Sequence, residues 1–195
     1  MKSSESTNSR CSGVRPGRGE REAAGDAGLY TVAEQIKARA RELGFDLVGI
    51  TTAEAPQHAE QFQEWIANQF HGEMTYMQRN AEKRVAPQKV MTEVRSVIVV
   101  GLNYNVEAAV PSGGAAHPAA GTAATTQTGR IARYAWGGRD YHEVLGDKLG
   151  QLAEFICEIG SADTRALWYA DTGPILERDL AQRAGIGFIG KHTNL

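Results

Sequence analysis

A short apolar run, Ala166-Leu-Trp-Tyr-Ala170, breaks off at Asp171-Thr-Gly-Pro174, and this junction constrains the chain more than any other. It sets one acid at the end of a predicted strand and follows it with a Gly-Pro turn, with Pro174 suited to the first position of a helix. Strand ends of open α/β sheets are where ligands bind, and glycine lets backbone approach them closely. A glycine-rich exit, Ala184-Gly-Ile-Gly187 and then Gly190-Lys191, comes next.

Upstream, the hydrophobic periodicity alternates between helix and strand. Thr31-Val-Ala-Glu34 reads as a capping box. Val32, Ile36, Ala40 and Leu43 fall on one helical face, and Gly44 closes the helix. Phe45 to Ile50 has the length and character of a strand. Phe62, Trp65 and Ile66 predict a helix over 57–69. His71 to Met77 is a short aromatic and methionine segment, followed by the polar run 78–83. Arg84-Val-Ala-Pro87 reads as a loop. Ser96 to Leu102 is a continuous apolar run, as in a buried strand. Leu145, Leu149, Leu152, Ile156 and Ile159 predict a long helix over 141–159. A third strand is expected at 166–170, and a last helix over 175–184 ended by Gly185. The order α-β-α-β-α-β-α predicts an α+β domain with α/β-like order. It would span residues 29–195, behind a disordered leader (1–28), with a flexible inserted loop at 105–129 that is rich in Ala, Gly, Thr and Pro.

Bulk properties bound the function. At 195 residues, 42% hydrophobic and 23% charged, the chain can bury one good-sized core without disulfides. A formal net charge of -2 argues against gripping nucleic acid by charge alone, while leaving room for a local basic patch. Cys11 and Cys157 form no Cys-x-x-Cys pair, so the chain supplies no zinc or cluster ligand set of its own, and a reducing cytoplasm is the expected setting. No apolar run approaches the roughly 20 residues of a membrane span, and the leader lacks the apolar core of a secretory signal.

Two familiar patterns fail on context. Gly185-Ile-Gly-Phe-Ile-Gly190 matches the letters of a dinucleotide fingerprint, but a helix precedes it where a strand is required. The same residues approach a phosphate-binding loop, yet His192 follows Lys191 where Ser or Thr must hold magnesium, and Thr193 comes one position late. Helix capping by Gly185 and tight turns at Gly187 and Gly190 account for the glycines.

Asp171 is the sharpest candidate for chemistry. Desolvated at a strand end, its carboxyl would have a raised pKa and could donate a proton; the competing reading is a solvated turn aspartate near a helix start. Glu177 and Arg178, on the last helix, read as members of an intrahelical or interhelical ion pair. Arg84, Arg133 and Lys191 suit a phosphate or carboxylate, or a plain surface role. His142 suits a proton shuttle or a helix cap; His71 and His117 carry less weight. Trp65, Trp136 and Trp168 read as core aromatics.

A set of short motifs then falls in a recognisable order. It begins with Leu43-Gly-Phe45, Val48-Gly-Ile50, His71-Gly-Glu-Met-Thr-Tyr-Met77, and Arg84 with Pro87. It continues with Arg95-Ser-Val-Ile98, Asn103-Tyr104, Arg133-Tyr-Ala with Trp136-Gly137, and Asp140-Tyr-His142. Asp171-Thr-Gly-Pro174 with Glu177-Arg178 and the glycine-rich exit completes it. As a set these resemble the N-terminal part of the epoxyqueuosine reductase family. The resemblance implies a nitroreductase-like cobalamin-binding domain, similar to that of reductive dehalogenases. It implies reduction of epoxyqueuosine to queuosine at the tRNA wobble position by low-valent cobalt, fed by two [4Fe–4S] clusters. Asp171 would be the proton donor to the epoxide oxygen. Arg84, Tyr134, Arg178, Gly190, Lys191 and Leu195 would contact cobalamin or line the active site, with Tyr141 and His142 behind them. The implied partners are a tRNA carrying epoxyqueuosine and an electron donor, for a monomer that needs no membrane. The family's cluster cysteines fall beyond Leu195, so this chain alone is expected to lack the clusters and complete turnover. Three other readings compete: a corrinoid-binding module without catalysis, a flavin-dependent enzyme of nitroreductase type, and an unstable fragment without function.

Overall fold

A computed structural model of the chain describes residues 31–103 and 138–195. The expected leader, the inserted loop, Tyr134 and Trp136 lie outside the described residues. Eight elements follow in order among those described: α1 (Val32–Glu42), β1 (Leu47–Thr52), α2 (Ala59–Ala67), α3 (Thr75–Arg79), α4 (Ala81–Arg84), β2 (Ser96–Gly101), α5 (Tyr141–Ile159) and α6 (Glu177–Arg183). A 3-10 turn at Pro87–Lys89 lies between α4 and β2.

The first unit forms as its sequence dictates. Thr31 and Glu34 close a reciprocal capping box, the Thr31 N–H donating to Glu34 Oε2 at 2.7 Å and the Glu34 N–H to Thr31 Oγ1 at 3.3 Å. At the other end Gly44 takes φ +84, its N–H donates to the Arg41 carbonyl at 2.9 Å, and the Phe45 N–H reaches back to the Ala40 carbonyl at 3.1 Å. That is the Schellman arrangement, and its apolar contact is the buried pair Ala40 and Phe45. The chain turns directly into β1, which pairs antiparallel with β2 from Leu47 opposite Gly101 to Thr52 opposite Ser96.

Helices cover both faces of this ribbon. Val48, Ile50, Ile98 and Val100 pack on Ile36, Ala40, Phe45 and Leu152, which joins α1 and α5 to one face. On the other face α6 crosses β1 so closely that a Cβ on Gly49 would stand 2.4 Å from the Ala184 carbonyl oxygen. Arg183 fixes that contact. Its guanidinium donates to Thr51 Oγ1 at 2.9 Å and to the carbonyls of Ala55, Thr52 and Glu54 at 2.9, 2.7 and 3.1 Å.

The structure departs from the sequence reading at four places. Residues 166–170 do not form a strand: among the described residues β2 pairs with β1 alone, and the 166–170 segment and β2 line a common cavity instead of sharing a ladder. Pro174 does not open the last helix, which starts at Glu177 after Leu176 as N-cap. The polar run 78–83 folds into α3 and α4, and Arg84 closes α4 instead of beginning a loop. Short helices of this kind carry too few periodic apolar positions to announce themselves in sequence.

Candidate active site

Residues 170–172 make a tight reversal. The Thr172 N–H donates to the Ala170 carbonyl at 2.6 Å, with Asp171 at the apex in the left-handed region at φ +57. A two-residue closure of positive φ is the uncommon, strained kind of γ-turn, and such backbone persists only where its surroundings hold it. Three contacts do so. The Tyr141 hydroxyl, at the start of α5, donates to Asp171 Oδ2 at 2.6 Å. Arg84 Nη1 donates to the carbonyls of Gly173 and Ile175 at 3.4 and 3.3 Å. Gly173 is buried against the Tyr169 ring, which would stand 2.7 Å from any Cβ there.

The turn stands at the rim of a cavity of about 520 Å³, within the range of small-molecule pockets, about 300–1,000 Å³. β2, α5, the 165–171 segment and α6 supply its walls, and the bed is apolar: Val97, Val99, Leu149, Leu152, Ile156 and Trp168. Asp171, Glu177 and Arg178 bring charge to it, and Leu195 lines it as well. The Trp168 indole N–H is buried without a hydrogen-bond partner, an unmet donor of the kind that calls for an explanation.

The expected desolvated acid is a different residue. Asp171 is exposed, so the structure favours the turn-aspartate environment over the buried one. Glu177, at the first position of α6, is the acid whose pKa is pushed up: burial is the main cause and the nearby Asp171 charge the second, with Arg84 and Arg178 opposing them. Burial also raises the Tyr169 phenol.

The other predicted residues fall into two groups. Arg178 is exposed and donates to the Thr193 carbonyl at 2.5 Å, tying α6 to the glycine-rich exit. Gly190 closes that exit, its N–H donating to the Asn194 carbonyl at 2.9 Å. Lys191 is exposed beside it. Leu195 packs against Gly187, where a Cβ would meet its Cγ at 3.2 Å. Arg84 stands apart, since its guanidinium is spent on backbone carbonyls of the Asp171 turn. His142 is the residue that Asp140 caps: its N–H donates to Asp140 Oδ1 at 2.9 Å, its Nδ1 meets the same oxygen at 2.9 Å, and its ring lies on Tyr141 with centroids 4.0 Å apart.

Sequence reasoning missed a buried link under α6. Asp179, with a side chain only 6% exposed, accepts from the His58 N–H at 2.9 Å and meets His58 Nδ1 at 2.5 Å. The partners are 121 residues apart, and neither belongs to a motif that would have paired them. The Tyr141–Asp171 contact was equally hidden, although both residues stood in singled-out motifs.

An acid on a strained turn, above an apolar cavity in a mixed helix-and-strand domain, defines a binding or catalytic module with a carboxyl at its rim. Residues 84–172 match the family model described as "Epoxyqueuosine reductase QueG, DUF1730". The epoxyqueuosine reductase of Gloeobacter violaceus is 43% identical over 169 residues, covering 86% of this chain and 48% of that protein. That of Escherichia coli is 37% identical over 166 residues, covering 85% and 41%. Among solved structures, epoxyqueuosine reductase from Streptococcus thermophilus superposes with a TM-score of 0.62 at 28% identity, over 80% of this chain and 39% of that one. An epoxyqueuosine reductase bound to an epoxyqueuosine-modified tRNA-Tyr stem loop gives 0.59 at 26% identity, over 83% and 40%. The Bacillus subtilis enzyme, with an aspartate-bearing catalytic loop swung out of the active site, gives 0.58 at 25%, over 83% and 40%. Residues 84–172 thus match the epoxyqueuosine reductase family model, and most of the chain is similar to part of the curated epoxyqueuosine reductases. It spans about half the length of the curated relatives it matches.

Proposed function

We propose that this chain carries the acid-bearing, cobalamin-binding part of an epoxyqueuosine reductase, which reduces epoxyqueuosine to queuosine in tRNA. The observation that carries this is Asp171 itself: a carboxyl at the apex of a strained turn, aimed by Tyr141, at the mouth of an apolar cavity. As the C–O bond of an epoxide breaks, negative charge gathers on its oxygen, and a carboxylic acid in reach neutralises it. Asp171 is that donor, and the Bacillus subtilis relative, whose catalytic loop is named for an aspartate, supports the assignment. Beside it, burial and then the Asp171 charge hold the Glu177 carboxyl above the ordinary glutamate range.

The residues present fit a corrinoid. The apolar bed suits the face of a macrocycle, and the unpaired Trp168 N–H suits a carbonyl acceptor on its edge. Arg178, Gly190, Lys191 and Leu195 would hold its periphery. When bound, cobalamin would supply the reducing equivalents, drawn from an electron donor through iron–sulfur clusters. The finer fold reading, a nitroreductase-like domain similar to that of reductive dehalogenases, accords with helices on both faces of the ribbon. A cytoplasmic protein is the setting that suits a tRNA substrate; no helix among the described residues is long and apolar enough to cross a membrane.

Anaerobic addition of cob(II)alamin, followed by absorption and EPR spectra, tests the cofactor assignment. A stoichiometric protein-bound cobalt signal supports it; FMN binding with no corrinoid uptake would turn the reading toward a flavoenzyme.

A further inference from the structure

We propose that Arg84 is a positioning residue, whose guanidinium holds the 171–175 turn in the strained conformation that keeps the Asp171 carboxyl at the cavity. The inference deepens the reading of Asp171 as proton donor and rests on it for its functional meaning. It assigns Arg84 a different task from the cofactor contact that the sequence suggested.

The argument starts from backbone geometry. Asp171 is not glycine, yet it occupies φ +57 within a closure of Thr172 N–H onto the Ala170 carbonyl. Left-handed backbone costs an L-residue roughly 1–2 kcal/mol, somewhat less for aspartate. Left to itself this turn would relax to negative φ and carry the carboxyl away. Something must offset that cost, and the Gly173–Tyr169 contact within the segment does not reach the Asp171 carboxyl or the Ile175 carbonyl.

Arg84 is built to supply it. One guanidinium nitrogen bridges two carbonyls, Gly173 and Ile175, so it binds the shape of the turn and not a single atom. The partners lie 89 and 91 residues away in sequence, at the closing residue of another helix, so the clamp reports on tertiary structure and not on local propensity. Its Nε is buried without a partner. That unpaired donor is a cost of the placement, which the two carbonyl bonds offset. Tyr141 supplies the second restraint, on the carboxyl itself. Between them they fix the backbone below Asp171 and the side chain above it. A cofactor or substrate is needed for neither contact.

The test is hydrogen exchange by mass spectrometry on the 195-residue chain, read at peptides spanning 169–176 and, as a reference, in α1 and α5. Wild type is compared with Arg84→Ala and Arg84→Lys. Arg84→Ala is expected to speed exchange of the 169–176 peptide about tenfold, as loss of roughly 1.4 kcal/mol of local restraint requires, with α1 and α5 unchanged. Arg84→Lys, which keeps charge and reach but not the fork, should recover part of the protection. Exchange of that peptide unchanged in both variants overturns the proposal. If Arg84→Ala loosens the whole chain, Arg84→Met, which keeps the stem and removes the donors, decides: loosening confined to the 169–176 peptide supports the clamp, and wild-type protection there overturns it. The reading beneath is tested apart from this, by Asp171→Asn. Turnover by Asp171→Asn with a loosened turn in Arg84→Ala would leave Arg84 as a clamp and remove Asp171 as the donor; an inactive Asp171→Asn with an undisturbed turn would do the reverse.

Discussion

The Tyr141 hydroxyl and the Asp171 carboxylate meet at 2.6 Å across 30 residues of sequence. Tyr141 is the first residue of α5, directly after the Asp140 cap, so its position is set by a helix that is itself anchored in the core through Leu152. The acid stands on a turn; its orientation comes from a rigid element. Removing the hydroxyl by Tyr141→Phe should therefore separate stability from chemistry. The pair is exposed, so thermal stability should change by less than about 1 kcal/mol. With cobalamin and a chemical reductant supplied, epoxide reduction on the proposed function should fall about ten- to a hundredfold, the scale of a misplaced reacting group. Matched melting curves and turnover assays check both halves.

Asp171 itself makes a contrasting pair of variants. Asparagine tolerates left-handed backbone and keeps an acceptor for Tyr141, whereas alanine does neither. Asp171→Asn should melt like wild type, while Asp171→Ala should lose about 1 kcal/mol to backbone strain. Both should be inactive as acids. Equal melting of the two variants would mean that the turn carries no strain worth the name.

Glu177 supplies a pH prediction. Its folded pKa stands above its unfolded one, mainly through burial and then through Asp171. Between those two values the folded chain binds the extra proton, so stability falls as pH rises through that window. Below the unfolded value the penalty is absent; above the folded value it is fully present. Glu177→Gln removes it. The variant should be more stable than wild type at neutral pH, with the gap closing once the pH drops below the ordinary carboxylate range. A gap that widens toward acid would have the wrong sign.

How much of this was legible follows from the range of each interaction. α1, its caps and the turn into β1 are local, and Thr31, Glu34 and Gly44 announce them. α5 was read to its ends because Leu145, Leu149, Leu152 and Ile156 repeat over about three turns. The 166–170 segment has a strand's composition, but a strand also needs a partner, and pairing is a tertiary fact that composition does not carry. The acid at Asp171 was visible as a motif; its exposure, its φ and its hold on Tyr141 were not. Arg84 looked like a ligand cation because sequence shows charge and not the carbonyls that consume it.

The seating of α6 on β1 yields a prediction about stability alone. Gly49→Ala forces a methyl group toward the Ala184 carbonyl at a distance no carbon tolerates, 2.4 Å. The helix must shift, at about 1–3 kcal/mol. Arg183→Ala removes four hydrogen bonds from the same junction and should cost about 2–3 kcal/mol. Because both act on one contact, the double variant should lose less than the sum, which urea denaturation of the four-member cycle would measure.

The most direct measurement supplies the electrons chemically and leaves the proton to the protein. The chain is loaded with cob(II)alamin, reduced with titanium(III) citrate, and given an epoxyqueuosine-bearing tRNA stem loop; conversion to queuosine is followed by mass spectrometry for wild type and Asp171→Asn. The account predicts conversion by wild type and a rate at least about a hundredfold lower for the variant, the range of a lost general acid. Conversion by Asp171→Asn at the wild-type rate would contradict it.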